Sequence, residues 1–286
     1  MTEGVALVIL AAGRGERFGG LKQLAPAGPN GETLMDYSIH NGLAAGIARI
    51  IIVVRSEIEG AVKAHLRQQW GEGLRVGYAT QSIAASTGKP GGTACAVLAA
   101  HGVLGNEPFV VINGDDLYGQ LPLRALHGWL SEPGSSHAVV GFPLIETLLP
   151  GSGPVTRALC ERRPDGTLAR LVEAAIESHD GRFVARALDG TEPSEVGANE
   201  LVSMNAFAFR PSLWPFLEEA VSGSAPRAGE VLLPVVVAGW LDHISVVVLP
   251  VADRCIGVTW ARDLAGLQED VRRRIDVGEL PAQLRP

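Results

Sequence analysis

The chain has 286 residues, 47% of them hydrophobic and 19% charged, which is enough apolar material for a sizeable core and too much for a disordered chain. Its 24 Lys and Arg against 31 Asp and Glu give a net charge of -7, so the cationic face that non-specific nucleic-acid binding needs is not expected, and an anionic ligand must be held by a local cluster. Cys95, Cys160 and Cys255 are far apart with no CxxC, no apolar run reaches about eighteen residues, and the start lacks the basic region of a secretory signal; disulfides, a thiolate zinc site, a membrane span and export are all unexpected, and a cytoplasmic location fits.

Apolar, β-branched runs predict strands at Val5 to Leu10, Arg49 to Val54, Pro108 to Asn113, Ala138 to Gly141, Leu201 to Phe209 and Ile244 to Val251. Helical periodicity falls between them at Thr33 to Ala45, Glu57 to Gln69, Thr93 to Val103 and Leu121 to Leu130. Such alternation predicts an α/β fold, read as a three-layer α/β/α Rossmann-like domain with a mixed, mostly parallel sheet. Ligands of such sheets sit at the C-terminal ends of the strands, here the loops after Leu10, Val54 and Asn113. From Thr147 to Glu200 turn clusters (SGP, PDG, DGR, DGTEPSE) interrupt the pattern. The expected organisation is one catalytic domain over residues 1–286, with a nucleotide-binding half at 1–120, an acceptor-binding half at 121–260 and a C-terminal helix within 261–286. That helix carries Leu264, Leu267, Val271 and Ile275 at helical spacing, and Arg272, Arg273 and Arg274 are read as a solvated face or partners of the helix dipole.

The first strand runs into LAAGRGERFGGLKQLAP. Gly13, Gly15, Gly19 and Gly20 let backbone approach a ligand closely while Arg14, Arg17 and Lys22 supply charge, which makes a phosphate-binding loop. Phe18 stands where a dinucleotide GxGxxG would need glycine, and no GKS or GKT ending follows, so neither that fingerprint nor a P-loop is present. The seven histidines form no HxxxH or HExxH pair and there is no GxSxG elbow. After the strand ending at Asn113, the Asp115 carboxylate follows Gly114 with Asp116 adjacent; the alternative reading of Asp115 is a turn or capping residue, but two adjacent carboxylates favour a cation on at least one.

With these residues in view, the chain resembles the sugar-phosphate nucleotidyltransferase (nucleotide-sugar pyrophosphorylase) family, of GT-A-like fold. Leu10 to Arg17 and Lys22 to Pro26 match its LAAGxGxR…KxLxP opening. GETLMD at Gly31 to Asp36, IARIIIVVR, KPGGTACAVLAA at Lys89 to Ala100, VVINGDDLYG, LVSMNAFAF and CIGVTWARDL are similar to its later elements, in order. The resemblance implies transfer of a nucleoside monophosphate from a nucleoside triphosphate to a sugar-1-phosphate or a sugar-like cyclitol phosphate, with release of pyrophosphate and with Mg²⁺ as cofactor.

It further implies roles. Arg17 would clamp the β- and γ-phosphates, Lys22 would neutralise the α-phosphate, and Asp115 would hold Mg²⁺, these three forming the catalytic set. Nucleotide contacts fall to Leu10, Ala11, Ala12, Gly13, Gly15, Gln81, Gly92, Thr93 and Asp116, with Gln81 reading the base and Gly92 packing beneath it. The second metal ligand falls near Thr259 or Asp263; Asp263 is taken, although it reads equally as a helix N-terminal residue. Glu173 and Asn205 match acceptor-contacting positions. Ala174 stands where the family has lysine, so Arg157 or another cation is expected to meet the acceptor phosphate instead. Competing expectations are a cytidylyltransferase or cofactor nucleotidyltransferase of the same fold, from which the GTA and GDD elements lean away, a nicotinamide-dependent oxidoreductase, which the missing third glycine opposes, and a non-catalytic nucleotide sensor. The choice of triphosphate and acceptor and the oligomeric state stay open.

Overall fold

The structure is a computed structural model that describes residues 4–15, 18–82, 91–149, 153–179, 181–223, 230–258 and 260–284. Arg17, Lys89 and Thr259 lie outside the described residues.

In chain order the elements are β1 (Ala6–Leu10), α1 (Leu34–Ala44), β2 (Arg49–Val54), α2 (Ser56–Trp70), β3 (Val76–Thr80), α3 (Thr93–Ala99), α4 (His101–Leu104), β4 (Phe109–Asn113) and β5 (Asp116–Leu117). Next come α5 (Gln120–Ser131), β6 (His137–Pro143), β7 (Val155–Arg162), β8 (Leu168–His179), β9 (Arg182–Ala187), β10 (Ser194–Val196), β11 (Leu201–Ser203) and β12 (Phe207–Phe209). The chain continues with α6 (Trp214–Gly223), α7 (Leu233–Gly239), β13 (Val246–Pro250), β14 (Ile256–Gly257) and α8 (Leu264–Asp276).

One large mixed sheet carries the order β10-β9-β8-β7-β11-β6-β12-β4-β1-β2-β3, with β13 beside β6. Its core, β4-β1-β2-β3, is parallel throughout, as the buried β-branched runs predict. From β12 through β11 to the β7–β10 wing the pairing is antiparallel. The three layers can be read from β1 alone, because side chains alternate across a strand. Ala6, Val8 and Leu10 join a core with Ala94 and Val97 of α3, Leu217 of α6 and Val237 of α7. Val5, Leu7 and Ile9 join another with Met35 and Ile39 of α1, Val62 and Leu66 of α2, and Leu123 and Leu126 of α5.

Two local devices set the nucleotide-side helices. Thr33 caps α1 by a capping box with Asp36. The fully buried Asp36 carboxylate also accepts Trp70 Nε1–H at 2.8 Å and meets His65 Nε2 at 2.6 Å, so it ties the start of α1 to α2. A separate two-stranded ladder pairs β14 with β5 and is covered by Leu267 and Val271 of α8. The arginines of that helix divide: Arg272 and Arg273 are exposed, whereas Arg274 is 2% exposed, one turn beyond Val271 on the buried face. It meets Glu279 at 3.0 Å and Asp253 at 3.7 Å, so the solvated reading fails for Arg274. The ion pairs are what allow it to be buried.

Candidate active site

A cleft of about 580 Å³ opens at the C-terminal ends of β1 and β4. Leu10, Ala12, Gly13, Gly15 and Lys22 line one side of it, Gln81, Gly92 and Thr93 a second, Asp115 and Asp116 the floor, and Arg157, Glu173 and Asn205 the far wall. Ala11 is the exception among the expected nucleotide contacts: it is fully buried behind the loop, with its N–H donated to Val53 O.

The glycine loop keeps its shape by bonds to its own backbone. Gly15 has φ +64°, and a Cβ there would meet Gly20 O at 2.6 Å, so glycine is required. Gln23 Nε2 donates to Gly13 O at 2.6 Å and Arg55 Nε to Ala12 O at 2.8 Å. Both braces went unread in the sequence, because neither residue differs by type from an ordinary surface polar group. Across the cleft the Lys22 ammonium pairs with the Asp115 carboxylate, each side chain about one-fifth exposed.

Gln81 is 4% exposed, and its Nε2 donates to Gly92 O at 2.9 Å. Gly92 has φ +92° with Val231 backbone packed against its Cα. The Thr93 hydroxyl accepts Leu233 N–H at 2.8 Å, so this side chain anchors α7 as well as lining the cleft.

Asp116 is 9% exposed, and burial, reinforced by Asp115, pushes its carboxyl up to about 6. Its Oδ2 accepts Asn113 Nδ2–H at 2.8 Å. Gly257 of β14 lies so close to Asp116 Oδ1 that any side chain there would displace the carboxylate. Adjacent, mutually repelling carboxylates, one buried and one partly exposed, suit a hard divalent cation, and Mg²⁺ characteristically takes one or two carboxylates and leaves its other positions to phosphates and water. Among the described residues no group of three or more His, Cys, Asp or Glu comes together. Asp263 is seated elsewhere: its carboxylate accepts Trp260 N–H at 2.9 Å, and it lines a much smaller neighbouring cavity with Arg157 and Gly257.

On the far wall Arg157 donates from Nε to Thr147 Oγ1 (3.1 Å), from Nη2 to Thr147 O (2.7 Å) and from Nη1 to Thr156 O (2.8 Å). Three of its five N–H donors are thereby used to aim the guanidinium. Burial lowers its pKa and Asp116 and Glu173 raise it; burial raises that of Glu173, which Arg157 offsets. The cleft thus holds a cationic group at each end and carboxylates between them, a layout suited to two phosphate-bearing ligands meeting over the floor.

No helix among the described residues is long and apolar enough to cross a membrane. No curated protein matches the sequence. Among solved structures, the inositol-1-phosphate CTP transferase from T. maritima is similar at 13% identity and TM-score 0.67, over 94% of this chain and 97% of that one. A Bacillus anthracis protein described as a glucose-1-phosphate thymidylyltransferase, in complex with a sucrose, is similar at 17% identity and TM-score 0.68, over 94% and 96%. At such identities the likeness establishes the shared Rossmann-like α/β fold. Residues 6–141, which include the glycine loop, the Lys22–Asp115 pair and the parallel core, match the family model described as nucleotidyl transferase.

Proposed function

We propose that this protein transfers a nucleoside monophosphate from a nucleoside triphosphate to a phosphorylated sugar or sugar-like cyclitol acceptor, releasing pyrophosphate. The observation that carries the reading is the single cleft in which the glycine loop and the Lys22–Asp115 pair face Arg157, Glu173 and Asn205. The two structural relatives act, by their names, on inositol-1-phosphate and glucose-1-phosphate, which supports a phosphorylated polyol acceptor.

In the proposed reaction an acceptor phosphate oxygen forms a bond to the α-phosphorus, and the bond from that phosphorus to the bridging oxygen of the β-phosphate breaks, with its electron pair leaving on pyrophosphate. A phosphate monoester is already mostly dianionic near neutral pH, so no general base is required, and the lack of a histidine among the described cleft residues is no handicap. Catalysis then comes from positioning and charge neutralisation. The Lys22 ammonium offsets charge building on the α-phosphate, the backbone of Gly13 to Gly15 lies against the phosphates, and the Arg157 guanidinium orients the acceptor phosphate. Glu173 and Asn205 hold acceptor hydroxyls, and Gln81 with Gly92 receives the base. Arg17 is expected at the departing pyrophosphate. Asp115 and Asp116 would hold Mg²⁺, which when bound screens the triphosphate oxygens.

Pyrophosphate release measured over ATP, GTP, CTP, UTP and dTTP against a panel of sugar-1-phosphates and inositol-1-phosphate, with Mg²⁺ and with chelator, tests this. Magnesium-dependent release that needs one specific pair is expected. Silence across the matrix from a protein that binds triphosphate would remove the reading in favour of a nucleotide sensor.

A further inference from the structure

Asn205 is the one residue other than glycine, among those described, with a positive φ, at 59°. Such backbone is sparsely populated and persists where the surroundings over-determine it. Here Asn205 N–H donates to Ser203 Oγ at 3.1 Å, and the preceding Met204 carbonyl accepts the Tyr118 hydroxyl. Tyr118 is fully buried, and a phenol carries a proton to donate across the neutral range. The same phenolic oxygen accepts Asn113 N–H at 3.1 Å. Tyr118 therefore clamps the break between β11 and β12 onto the end of β4.

Along the side chains, hydrogen-bond polarity runs one way. An ionised carboxylate only accepts. Asp116 Oδ2 takes the Asn113 Nδ2 proton at 2.8 Å, which turns the Asn113 carbonyl away from it, and that carbonyl accepts Asn205 Nδ2–H at 3.4 Å. The chain ends on Asn205 Oδ1, shielded from solvent in the cleft wall with no hydrogen-bond partner among the described residues. A buried amide oxygen left unpaired is unfavourable, and a hydroxyl donor entering beside it restores the bond.

The geometry points to Asn113 as a positioning residue that makes Asn205 meet the acceptor molecule as a hydrogen-bond acceptor, so that the group recognised there is an acceptor hydroxyl, and that ties this contact to Asp116. The inference rests on the transferase reading for its consequence, but not for the relay itself.

Kinetics with the productive substrate pair and side-chain amide ¹⁵N NMR of the ligand-free protein test it together. Asn113→Ala and Asn205→Ala are each expected to raise the acceptor KM about tenfold, the loss of one hydrogen bond, with the triphosphate KM within about twofold. The double variant is expected to be no worse than the poorer single one, because both break the same chain. An acceptor lacking the contacted hydroxyl should cost the wild type that factor and cost Asn113→Ala nothing further. Additive losses, an unchanged acceptor KM, or equal movement of both KM values would overturn the relay. In the spectra, the Asn205 amide pair is expected to move in Asn113→Ala and in Asp116→Ala, and a stationary signal overturns the proposal without any turnover being needed. A wild type that is silent on every substrate pair sinks the transferase reading alone, while the spectra still decide the relay. Asn113→Leu, nearly isosteric, repeats both arms if alanine unfolds the protein.

Discussion

The Lys22 ammonium reaches across the cleft to the Asp115 carboxylate and so joins the loop after β1 to the residue two beyond the end of β4. A partly exposed ion pair of this kind contributes at most about 1 kcal/mol to stability. Its position, where a glycine loop meets two carboxylates, suits the proposed role at the transition state better than a structural one.

Lys22→Ala and Asp115→Asn are therefore expected to lower kcat by roughly 10²–10³, the scale of one lost electrostatic contact to a developing charge. Their thermal midpoints should stay within about 3 °C of wild type, since neither side chain belongs to a core cluster. Pyrophosphate-release kinetics beside a circular dichroism melt separate the two effects. Near-normal turnover in Asp115→Asn would remove its assignment to the metal.

Asp116 behaves differently, because its carboxyl is pushed up to about 6 by burial and by Asp115. Between about 4 and 6 the folded protein holds a proton that the unfolded chain has lost. The favourable contribution is thus complete below the ordinary carboxyl range and fades as pH rises through about 6. Asp116→Asn removes the penalty, keeps an oxygen for Asn113, and should stabilise the ligand-free protein at pH 7.5 by on the order of 2–3 kcal/mol. Urea denaturation at pH 7.5 and pH 4.5 checks this: the gain must shrink at the lower pH.

His137 supplies the opposite slope. Its ring is 1% exposed, its Nδ1 accepts Arg210 N–H at 3.2 Å, and burial, with Arg210 adding, lowers its pKa to about 4. The unfolded chain takes up a proton near pH 6.5 that the fold refuses. Stability from this group is present above that value and lost as pH falls through about 4, amounting to roughly 3 kcal/mol. His137→Gln should flatten the difference in stability between pH 7 and pH 4.5; an unchanged slope would show that the imidazole protonates in place.

How much of this was legible in the sequence follows from what each residue does. The parallel core announced itself because strands buried on both faces read as continuous Val and Ile runs, and the α/β alternation followed. The wing did not: β8 reads LARLVEAAIESH, with charged residues among inward apolar ones such as Ala174 and Ile176, and the PDG cluster taken as a break is the hairpin turn between β7 and β8. At α7 the run Val235 to Val237 is β-branched, a composition that local propensity does not assign to a helix, and burial against α3 and β8 decides it. In the site, glycines and charges on strand ends marked the loop and Asp115. Asn113 carried no such mark, because its side-chain partner Asn205 is 92 positions away and their meeting is a product of the β12–β4 pairing.

The same contrast between chemistry and backbone governs Gly92. Its φ is +92°, and a Cβ would lie 2.6 Å from Val231 O and 2.7 Å from Val231 N. Those Val231 atoms are engaged on both sides, donating to Gly91 O at 2.8 Å and accepting from Ala94 N at 2.9 Å, so they cannot retreat without breaking a bond. Gly92→Ala is therefore expected to destabilise by about 2–4 kcal/mol, combining left-handed strain with a backbone clash. It should also raise the triphosphate KM, because Gln81 is held through Gly92 O. Gly102→Ala is the control: it lies in α4 with open space around it and should be neutral or stabilising by up to about 1 kcal/mol. Denaturation of the two variants side by side, with triphosphate affinity measured on each, decides the matter. Equal stability for both would show that the 91–94 segment shifts away from Val231 at no cost, and Gln81 would then lose its claim to a fixed place in the cleft.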